Sequence, residues 1–222
     1  MLLSNTSHPK ERTHFERSLQ RLEQEVLRMG ALVEEAFRLS HNCLFKDDLA
    51  AVETIVALDK EIDRYCRKIE ADCAAMLTLK APVGQDCRLV SAFMQLVRDL
   101  ERIGDYAENL AEMSMKLVPY PTHICMAEVE AMSLHAQLML STSLVALAEL
   151  DQQAGKLVKA LDDRVDDDYE RLYNFLAKQK NVQGFMEPFL LMSLIIRDLE
   201  RMADHATNIA QRVSYIITGH RN

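Results

Sequence analysis

The chain has 222 residues, of which 49% are hydrophobic and 27% are charged, and this is the profile of an ordinary globular protein. Its net charge of −8 argues against nucleic-acid binding, which requires a basic face. We see no signal peptide and no apolar run near the roughly 18 residues that span a bilayer. The five cysteines lack C-x-x-C spacing, which fits reduced thiols and a cytoplasmic protein.

Only six glycines and five prolines interrupt the chain, so long helices are expected. Apolar residues in the first helix recur in alternating steps of four and three, and this heptad rhythm suits bundle packing. That seam consists of Phe15, Leu19, Leu22, Val26, Met29, Val33 and Ala36; a similar seam in the fourth helix consists of Val129, Met132, Ala136, Met139, Ser143 and Ala146. The predicted helices span approximately residues 10–45, 48–79, 86–118, 123–152, 155–180 and 185–218.

Pro119-Tyr120-Pro121 divides these six helices into two groups of three. We therefore predict an all-α protein made of two tandem, antiparallel three-helix bundles. Residues 10–118 would form the first repeat and residues 122–219 the second, after a flexible N-terminal segment at residues 1–9.

A duplicated motif supports this division. Residues 98–111 read RDLERIGDYAENLA and residues 197–210 read RDLERMADHATNIA, with nine of fourteen positions identical. Each copy has two carboxylates four residues apart, and another such pair lies upstream of each. The four pairs are Asp59 and Asp63, Glu101 and Asp105, Asp162 and Asp166, and Glu200 and Asp204. Like charges at this spacing destabilise a helix, so four matched pairs suggest a bound cation.

Helical geometry indicates that the pairs can meet. With Glu101 at the origin and about 100° per residue, Asp105 lies at about 40°, beside an apolar arc from about 180° to 320°. The other helix of each half has its acidic pair at the same edge of its apolar face. Antiparallel neighbours would then gather four carboxylates around one point in each half. The alternative is a solvated flank, on which Arg98 and Arg102 form helical pairs worth ~0.2–0.5 kcal/mol each.

Carboxylate oxygens are hard ligands, so an oxygen-rich cluster favours magnesium, calcium, manganese or iron over a cysteine-based zinc site. We predict a divalent or trivalent metal at the eight acidic residues, with iron, manganese, magnesium and zinc as candidates and a multinuclear centre compatible with the ligand count. Neighbouring polar residues would orient or neutralise the ligands. These residues are Arg98, Asn109, Arg197 and Asn208. We expect His205 to lie on the surface.

The chain resembles the PhoU family. The family signature R-x-L-E-R-I-G-D-x-A-x-N-I-A is met by Arg98–Ala111 and less closely by Arg197–Ala210, where Ala203 replaces the glycine. The E/D-x-x-x-D motif occurs twice in each repeat, as in the family. The resemblance covers approximately residues 10–219.

This resemblance implies a regulator and not an enzyme. PhoU proteins limit phosphate uptake and restrain the phosphate-starvation response by connecting a phosphate-specific ABC transporter to a sensor histidine kinase. Members carry metal clusters, including iron, at the acidic motifs. Association with the membrane would be peripheral, through these partners, and a homo-oligomer is expected, with a dimer favoured.

Two alternatives remain from the sequence. One is a helical scaffold that binds no metal. The other is a di-iron oxidase of the ferritin type, which needs paired E-x-x-H motifs on bundle helices. The chain has one such motif, Glu11-x-x-His14, at the start of the first helix.

Overall fold

The computed structural model describes residues 9–151, 153–179 and 184–220. Within those ranges the chain forms six long helices and one 3-10 turn, and it has no strand. The helices are α1 (Pro9–Phe45), α2 (Val52–Lys80), α3 (Gln85–Leu117), α4 (Met126–Glu149), α5 (Ala154–Ala177) and α6 (Glu187–Thr218). The predicted all-α class is therefore confirmed. The flexible segment predicted at residues 1–9 falls, apart from Pro9, outside the described ranges.

Local sequence explains where the helices end. Ala81 follows α2 in the left-handed conformation with φ of 44°, directly before Pro82, which cannot continue a helix. Gly84 precedes α3 with φ of 62°, a backbone angle that glycine adopts without steric cost. Pro188 lies in the first turn of α6, where its missing N–H is not needed.

The two central helices join the repeats. Helix α3 packs against α1, α2 and α6, and α6 packs against α3, α4 and α5. Helices α1 and α4 contact each other on one side of this central pair. Helices α2 and α5 flank the pair without contacting one another in the described chain. The result is two three-helix bundles packed side by side, as the duplication predicts.

The predicted heptad seams form the core. In α1, five seam residues from Leu22 to Ala36 are buried, while Phe15 and Leu19 are half-buried against the same core. All six predicted seam residues of α4 are buried. The heptad spacing therefore identified the inward faces of both helices correctly.

The cysteines are part of this interior. All five are free thiols, four of them buried and Cys87 half-buried. Burial raises the pKa of Cys73 to about 12 and those of Cys66 and Cys125 to about 11. These thiols thus serve as small apolar side chains.

Helix α4 is the most apolar element. By length and composition alone it could cross a membrane, since its most apolar 18 residues have a mean hydropathy of 1.4, and 44% of that stretch is buried within the protein. The core helix of a soluble bundle can have the same length and composition. We did not predict such a stretch because serine, threonine, glutamine and histidine interrupt its apolar residues.

Candidate metal centre

Helices α2 and α3 bring three predicted ligands together. Asp63 on α2 and Glu101 and Asp105 on α3 each offer a carboxylate oxygen, and these oxygens lie within 4.8 Å of one another. All three residues are half-buried. The helical arithmetic thus placed the edges of α2 and α3 correctly in the first repeat. Asp63, Glu101 and Asp105 are called the first acidic cluster below.

Asp59 lies one turn from this cluster, beside the backbone of α3. A Cβ atom added to Gly104 would lie 3.8 Å from Asp59 Oδ1 and 3.2 Å from Ile62 Cδ1. The missing side chain of Gly104 therefore lets α2 approach α3 closely. This approach holds Asp59 in the field of the cluster, although Asp59 does not belong to the group of three.

The cluster carries more negative charge than its neighbours neutralise. Burial and then repulsion from Asp105 raise the pKa of Glu101, and burial also raises the pKa values of Asp105 and Glu108. Arg102 offsets part of this charge, with Nη1 lying 3.2 Å from Asp105 Oδ2 and Nε lying 3.7 Å from Glu101 Oε2. The latter oxygen is buried and accepts no hydrogen bond. A cation placed here would relieve both the repulsion and the unpaired oxygen.

The repulsion around Asp59 can be tested through the dependence of protein stability on pH. Burial, followed by Glu108, Asp105, Asp63 and Glu101, raises its pKa from 3.8 to about 6. The fold disfavours ionised Asp59. The protonated carboxyl group therefore leaves the protein at full stability near pH 4, and stability is lost as the pH rises through about 6 and the group ionises. In metal-free protein, Asp59→Asn should therefore raise the free energy of unfolding at pH 7.5 by about 1 kcal/mol, a value reduced for solvent screening.

Urea unfolding in the presence of a chelator would measure this effect. The gain from Asp59→Asn should shrink towards zero at pH 4, where Asp59 is protonated in the fold. An equal gain at both pH values would contradict the assignment of the raised pKa to Asp59.

The second repeat arranges its four residues differently. Asp162 is buried and accepts from Lys159 Nζ at 3.0 Å and from Thr207 Oγ1 at 3.1 Å. Among the described residues, no three ligand oxygens in this repeat come as close as those of the first acidic cluster. Burial still raises the pKa values of Asp166, Glu200 and Asp204, followed by repulsion among these acidic residues. Asp162, Asp166, Glu200 and Asp204 are called the second acidic group below.

Two substitutions distinguish the surroundings of Asp162 from those of Asp59. Lys159 and Thr207 donate to Asp162, whereas the equivalent positions of the first repeat hold Val56 and Glu108. Both sites have cations nearby, since Arg67 lies 2.9 Å from Asp63 in the first repeat. On geometry, the first acidic cluster is the stronger candidate for a metal ion, because its three oxygens converge and Glu101 Oε2 has no hydrogen-bond donor.

Of the four polar residues predicted to support the ligands, the two arginines act on them by charge, since Arg98 and Arg197 oppose the rise in the pKa values of Glu101 and Glu200, while the two asparagines face the opposite repeat. Arg98 donates to Glu70 on α2. Arg197 is exposed, and its charge lowers the raised pKa values of Glu200 and Asp198. The two asparagines bond to the opposite repeat. Asn208 Nδ2 donates to Asp99 Oδ1 at 3.2 Å, and Asn109 hydrogen-bonds to Asp198.

Asp99 is the centre of a polar network that the sequence reading missed. Its side chain is 7% exposed, and it accepts from His205 Nδ1 at 2.9 Å and from Arg212 Nε at 2.7 Å as well as from Asn208. His205 is therefore a half-buried link between α3 and α6, and our expectation of a surface histidine was wrong. The sequence does contain a signal for Asp99, since it is identical in both copies of the duplicated motif. It lies about 160° round the helix from Glu101, at the opposite border of the apolar arc.

Comparison with known proteins identifies the family. A family model described as the PhoU domain matches residues 26–114 and again residues 129–213. The chain belongs to the PhoU family. A PhoU homolog from Synechocystis sp., described as a phosphate-specific transport system accessory protein, is 61% identical over 99% of this chain and 98% of its own length. A PhoU homolog from Clostridium acetobutylicum with the same description is 30% identical over 92% of this chain and 94% of its own.

Solved PhoU structures have the same fold. The crystal structure of PhoU from Pseudomonas aeruginosa matches with a TM-score of 0.85 and 28% identity, over 93% of this chain and 100% of that one. The phosphate transport system regulatory protein PhoU from Streptococcus pneumoniae also gives a TM-score of 0.85, with 28% identity, over 94% of this chain and 99% of its own. The predicted PhoU membership and tandem-bundle fold are thus confirmed. This family consists of transport accessory and regulatory proteins and is not an enzyme family.

Proposed function

We propose that this chain is a cytoplasmic negative regulator of phosphate uptake and of the phosphate-starvation response. In this role it acts as an adaptor between a phosphate-specific ABC transporter and a sensor histidine kinase. The observation that carries the proposal is the full-length match to a transport accessory protein at 61% identity, with both copies of the acidic motif retained. At that identity and coverage, a change of overall role is not expected.

We further propose that the first acidic cluster binds a hard cation. Three convergent carboxylates, the buried oxygen of Glu101 without a hydrogen-bond donor, and the raised pKa values of Glu101 and Asp105 fit an oxygen-ligand metal site. Asp59 and Glu108 lie near enough to add charge. The metal would neutralise these groups and tie α2 to α3.

The second acidic group would bind a metal more weakly. Among the described residues its carboxylate oxygens do not converge as those of the first acidic cluster do, and Lys159 already pairs with Asp162 and Asp163. The metal would thus act mainly in the first repeat. A scaffold without metal is the competing function, and it is separated from this proposal by metal analysis of the purified protein.

The adaptor role is tested by complementation in the organism that carries this chain. A strain lacking the gene should express alkaline phosphatase in high phosphate, and the wild-type chain should restore repression. Tagged wild-type chain should also co-purify with the phosphate transporter and the kinase from membranes of cells grown in high phosphate. Failure to restore repression, or absence of both partners, would contradict the proposal.

The same complementation assay, applied to matched variants, tests whether the first acidic cluster is needed for repression. Glu101→Ala with Asp105→Ala removes two ligands, and Glu34→Ala with Glu53→Ala removes two exposed carboxylates outside the motif. If the metal is regulatory, only the first pair should lose repression. If both pairs restore repression equally, the metal serves stability alone.

A further inference from the structure

A basic pocket lies between α1 and α2, although the chain has a net charge of −8. Its volume is about 400 Å³, and four cationic side chains against one carboxylate give its lining a charge of +3. The lining does not include any of the predicted metal ligands. Together with Gln24, the residues that line this pocket, called the basic pocket below, are Arg21, Glu25, Arg28, Arg64, Tyr65 and Lys68.

Glu25 holds two of these cations in place. Its Oε1 atom accepts hydrogen bonds from Arg21 Nε at 3.1 Å and from Lys68 Nζ on the opposite helix. Burial would raise the pKa of Glu25, but these two hydrogen bonds outweigh it and hold the pKa below its usual range. The other carboxylate oxygen is buried, so Glu25 exposes little negative surface to the pocket. Two cations on facing helices are thus positioned before any ligand arrives.

The other cationic contacts of the pocket are weak. Arg28 is exposed and makes no ion pair with another described residue. Arg64 lies 2.9 Å from Glu61, and Lys68 also lies 3.9 Å from Asp72, each pair within α2 and open to solvent. Pairs of this kind contribute little to stability, so an anionic ligand can displace them.

The second repeat shows which part of the pocket belongs to the shared scaffold. Aligning the heptad seams and the acidic pairs of the two repeats matches Glu25 with Glu128 and Lys68 with Arg171. Glu128 and Arg171 also join two helices, with Arg171 Nε lying 3.3 Å from Glu128 Oε2. The Glu25–Lys68 contact is therefore explained by the packing of the bundle.

The three arginines are not explained in this way. In the second repeat, the positions of Arg21, Arg28 and Arg64 are occupied by Ile124, Ala131 and Asp167. With Asp168 in place of Tyr65, the positions equivalent to the basic pocket carry a charge of −2. The same scaffold thus folds without the arginines, and the reversal of charge in the first repeat indicates a role other than packing.

We propose that the basic pocket binds linked phosphate groups, as found in an inorganic oligophosphate or in the phosphate tail of a nucleotide. Arginine side chains bind phosphate oxygens through two parallel hydrogen bonds. One phosphate group carries a charge of about −2, which leaves part of the +3 lining unbalanced, whereas two linked groups balance it. Linked phosphates would also contact cations on both helices at once.

The lining favours this ligand over a nucleobase or a protein segment. Arg64 lies over the ring of Tyr65, 5.6 Å from its centroid, and the ring also packs against the core, so neither face is open to a stacking base. The lining has no aliphatic side chain against which a protein segment could bury an apolar anchor. Charge and hydrogen bonds therefore dominate recognition.

Isothermal titration calorimetry at physiological ionic strength tests the site with pyrophosphate, tripolyphosphate, ADP and inorganic phosphate. The protein is treated with a chelator, so that no probe binds through a metal ion at the first acidic cluster. Pyrophosphate and tripolyphosphate should each bind with one site per chain. Inorganic phosphate should bind at least ~10-fold more weakly, because it makes fewer charge-assisted hydrogen bonds.

The ADP titration distinguishes the two sources of linked phosphates. If ADP and pyrophosphate bind with equal affinity, the phosphates alone are recognised, as the lining leads us to expect. Tighter binding of ADP would assign the pocket to nucleotides. Both results support the proposal.

Matched double variants locate the site. Arg21→Ile with Arg28→Ala gives the pocket the side chains of the second repeat, and it should weaken tripolyphosphate binding ~100-fold, about tenfold for each arginine. Arg38→Gln with Arg164→Gln removes the same charge at two exposed arginines outside the pocket and should leave the affinity unchanged. Circular dichroism should show both variants folded as the wild-type protein is.

Three results would overturn the proposal: no binding of either oligophosphate, equally tight binding of inorganic phosphate, or equal weakening by the two double variants. The third result would mean that the ligand is attracted by charge in general and not by this pocket. An acidic decapeptide of Asp and Glu that binds more tightly than tripolyphosphate would also overturn it and assign the pocket to an acidic segment of a partner protein. The adaptor role is tested separately by complementation and does not depend on these titrations.

Discussion

Asp99→Ala should lower the midpoint of thermal unfolding by roughly 10 °C, corresponding to about 3–5 kcal/mol of stability. Asp99 is the acceptor on which α6 converges from three positions, His205, Asn208 and Arg212. Its loss would leave the Arg212 guanidinium, whose side chain is 26% exposed, without its carboxylate partner between two packed helices. Breaking a buried pair on one side costs more than the pair itself contributes, because the remaining charge stays desolvated.

The matched comparison is an exposed ion pair in the same fold. Arg38 bonds to Glu35 at 2.6 Å, but the two side chains are 53% and 43% exposed. Arg38→Ala should therefore cost no more than about 1 kcal/mol. Differential scanning calorimetry on both variants compares their unfolding temperatures, and each variant changes the net charge by one unit. If Asp99→Ala and Arg38→Ala unfold at the same temperature, the α3–α6 network does not hold the repeats together.

A second variant separates charge from hydrogen bonding. Asp99→Asn keeps the size of the side chain and one acceptor oxygen, but it removes the charge that pairs with Arg212. We expect an intermediate loss: its size measures the contribution of the charge, and the remaining difference from Asp99→Ala measures that of side-chain shape and hydrogen bonding.

The fold could be predicted because its determinants are local. Heptad spacing identified the buried faces of α1 and α4, and Pro82, Gly84 and the two prolines at 119 and 121 marked the ends of helices. These signals depend on neighbouring residues in one helix, so they can be read from one sequence. The duplication then fixed the number of bundles.

The site could be predicted only in part, since partners across the bundle are not encoded by spacing. Asp63, Glu101 and Asp105 converge as their edge positions indicate. Asn109 and Asn208 lie on the same side of their helices as the acidic pairs, but the antiparallel crossing of α3 and α6 turns them towards Asp198 and Asp99. A helical wheel gives the direction of a side chain and not the helix that it will meet.

The asymmetry of the two acidic sets also lay beyond the motif. The motif repeats its carboxylates, while Lys159 lies three residues before Asp162, outside the aligned pairs. This single lysine gives Asp162 a cationic partner. The structure shows the pairing, with Lys159 Nζ lying 3.0 Å from an Asp162 carboxylate oxygen.

Asp105→Asn should stabilise the protein without metal and destabilise it relative to wild type when metal is present. Without a cation, Asp105 is one of three close carboxylates, and burial raises its pKa, so removing its charge relieves repulsion. With a cation, Asp105 becomes a ligand whose loss weakens binding. Metal at 100 times its dissociation constant stabilises a folded protein by about 2.7 kcal/mol, and the variant should lose most of that gain. The order of the two unfolding midpoints should therefore reverse between chelator and metal.

Thermal unfolding of chelator-treated protein, with and without Mn²⁺, Fe²⁺, Mg²⁺ or Zn²⁺, makes this reversal measurable. Asp204→Asn, the equivalent change in the second acidic group, should show a smaller metal effect because Lys159 competes for Asp162. Glu34→Gln removes an exposed carboxylate outside both sets and should respond to metal as wild type does. If no ion raises the wild-type midpoint, or if Asp105→Asn gains as much from metal as wild type, the first acidic cluster is a solvated flank and not a metal site. A larger effect at Asp204 than at Asp105 would place the stronger site in the second repeat, although three carboxylate oxygens converge in the first.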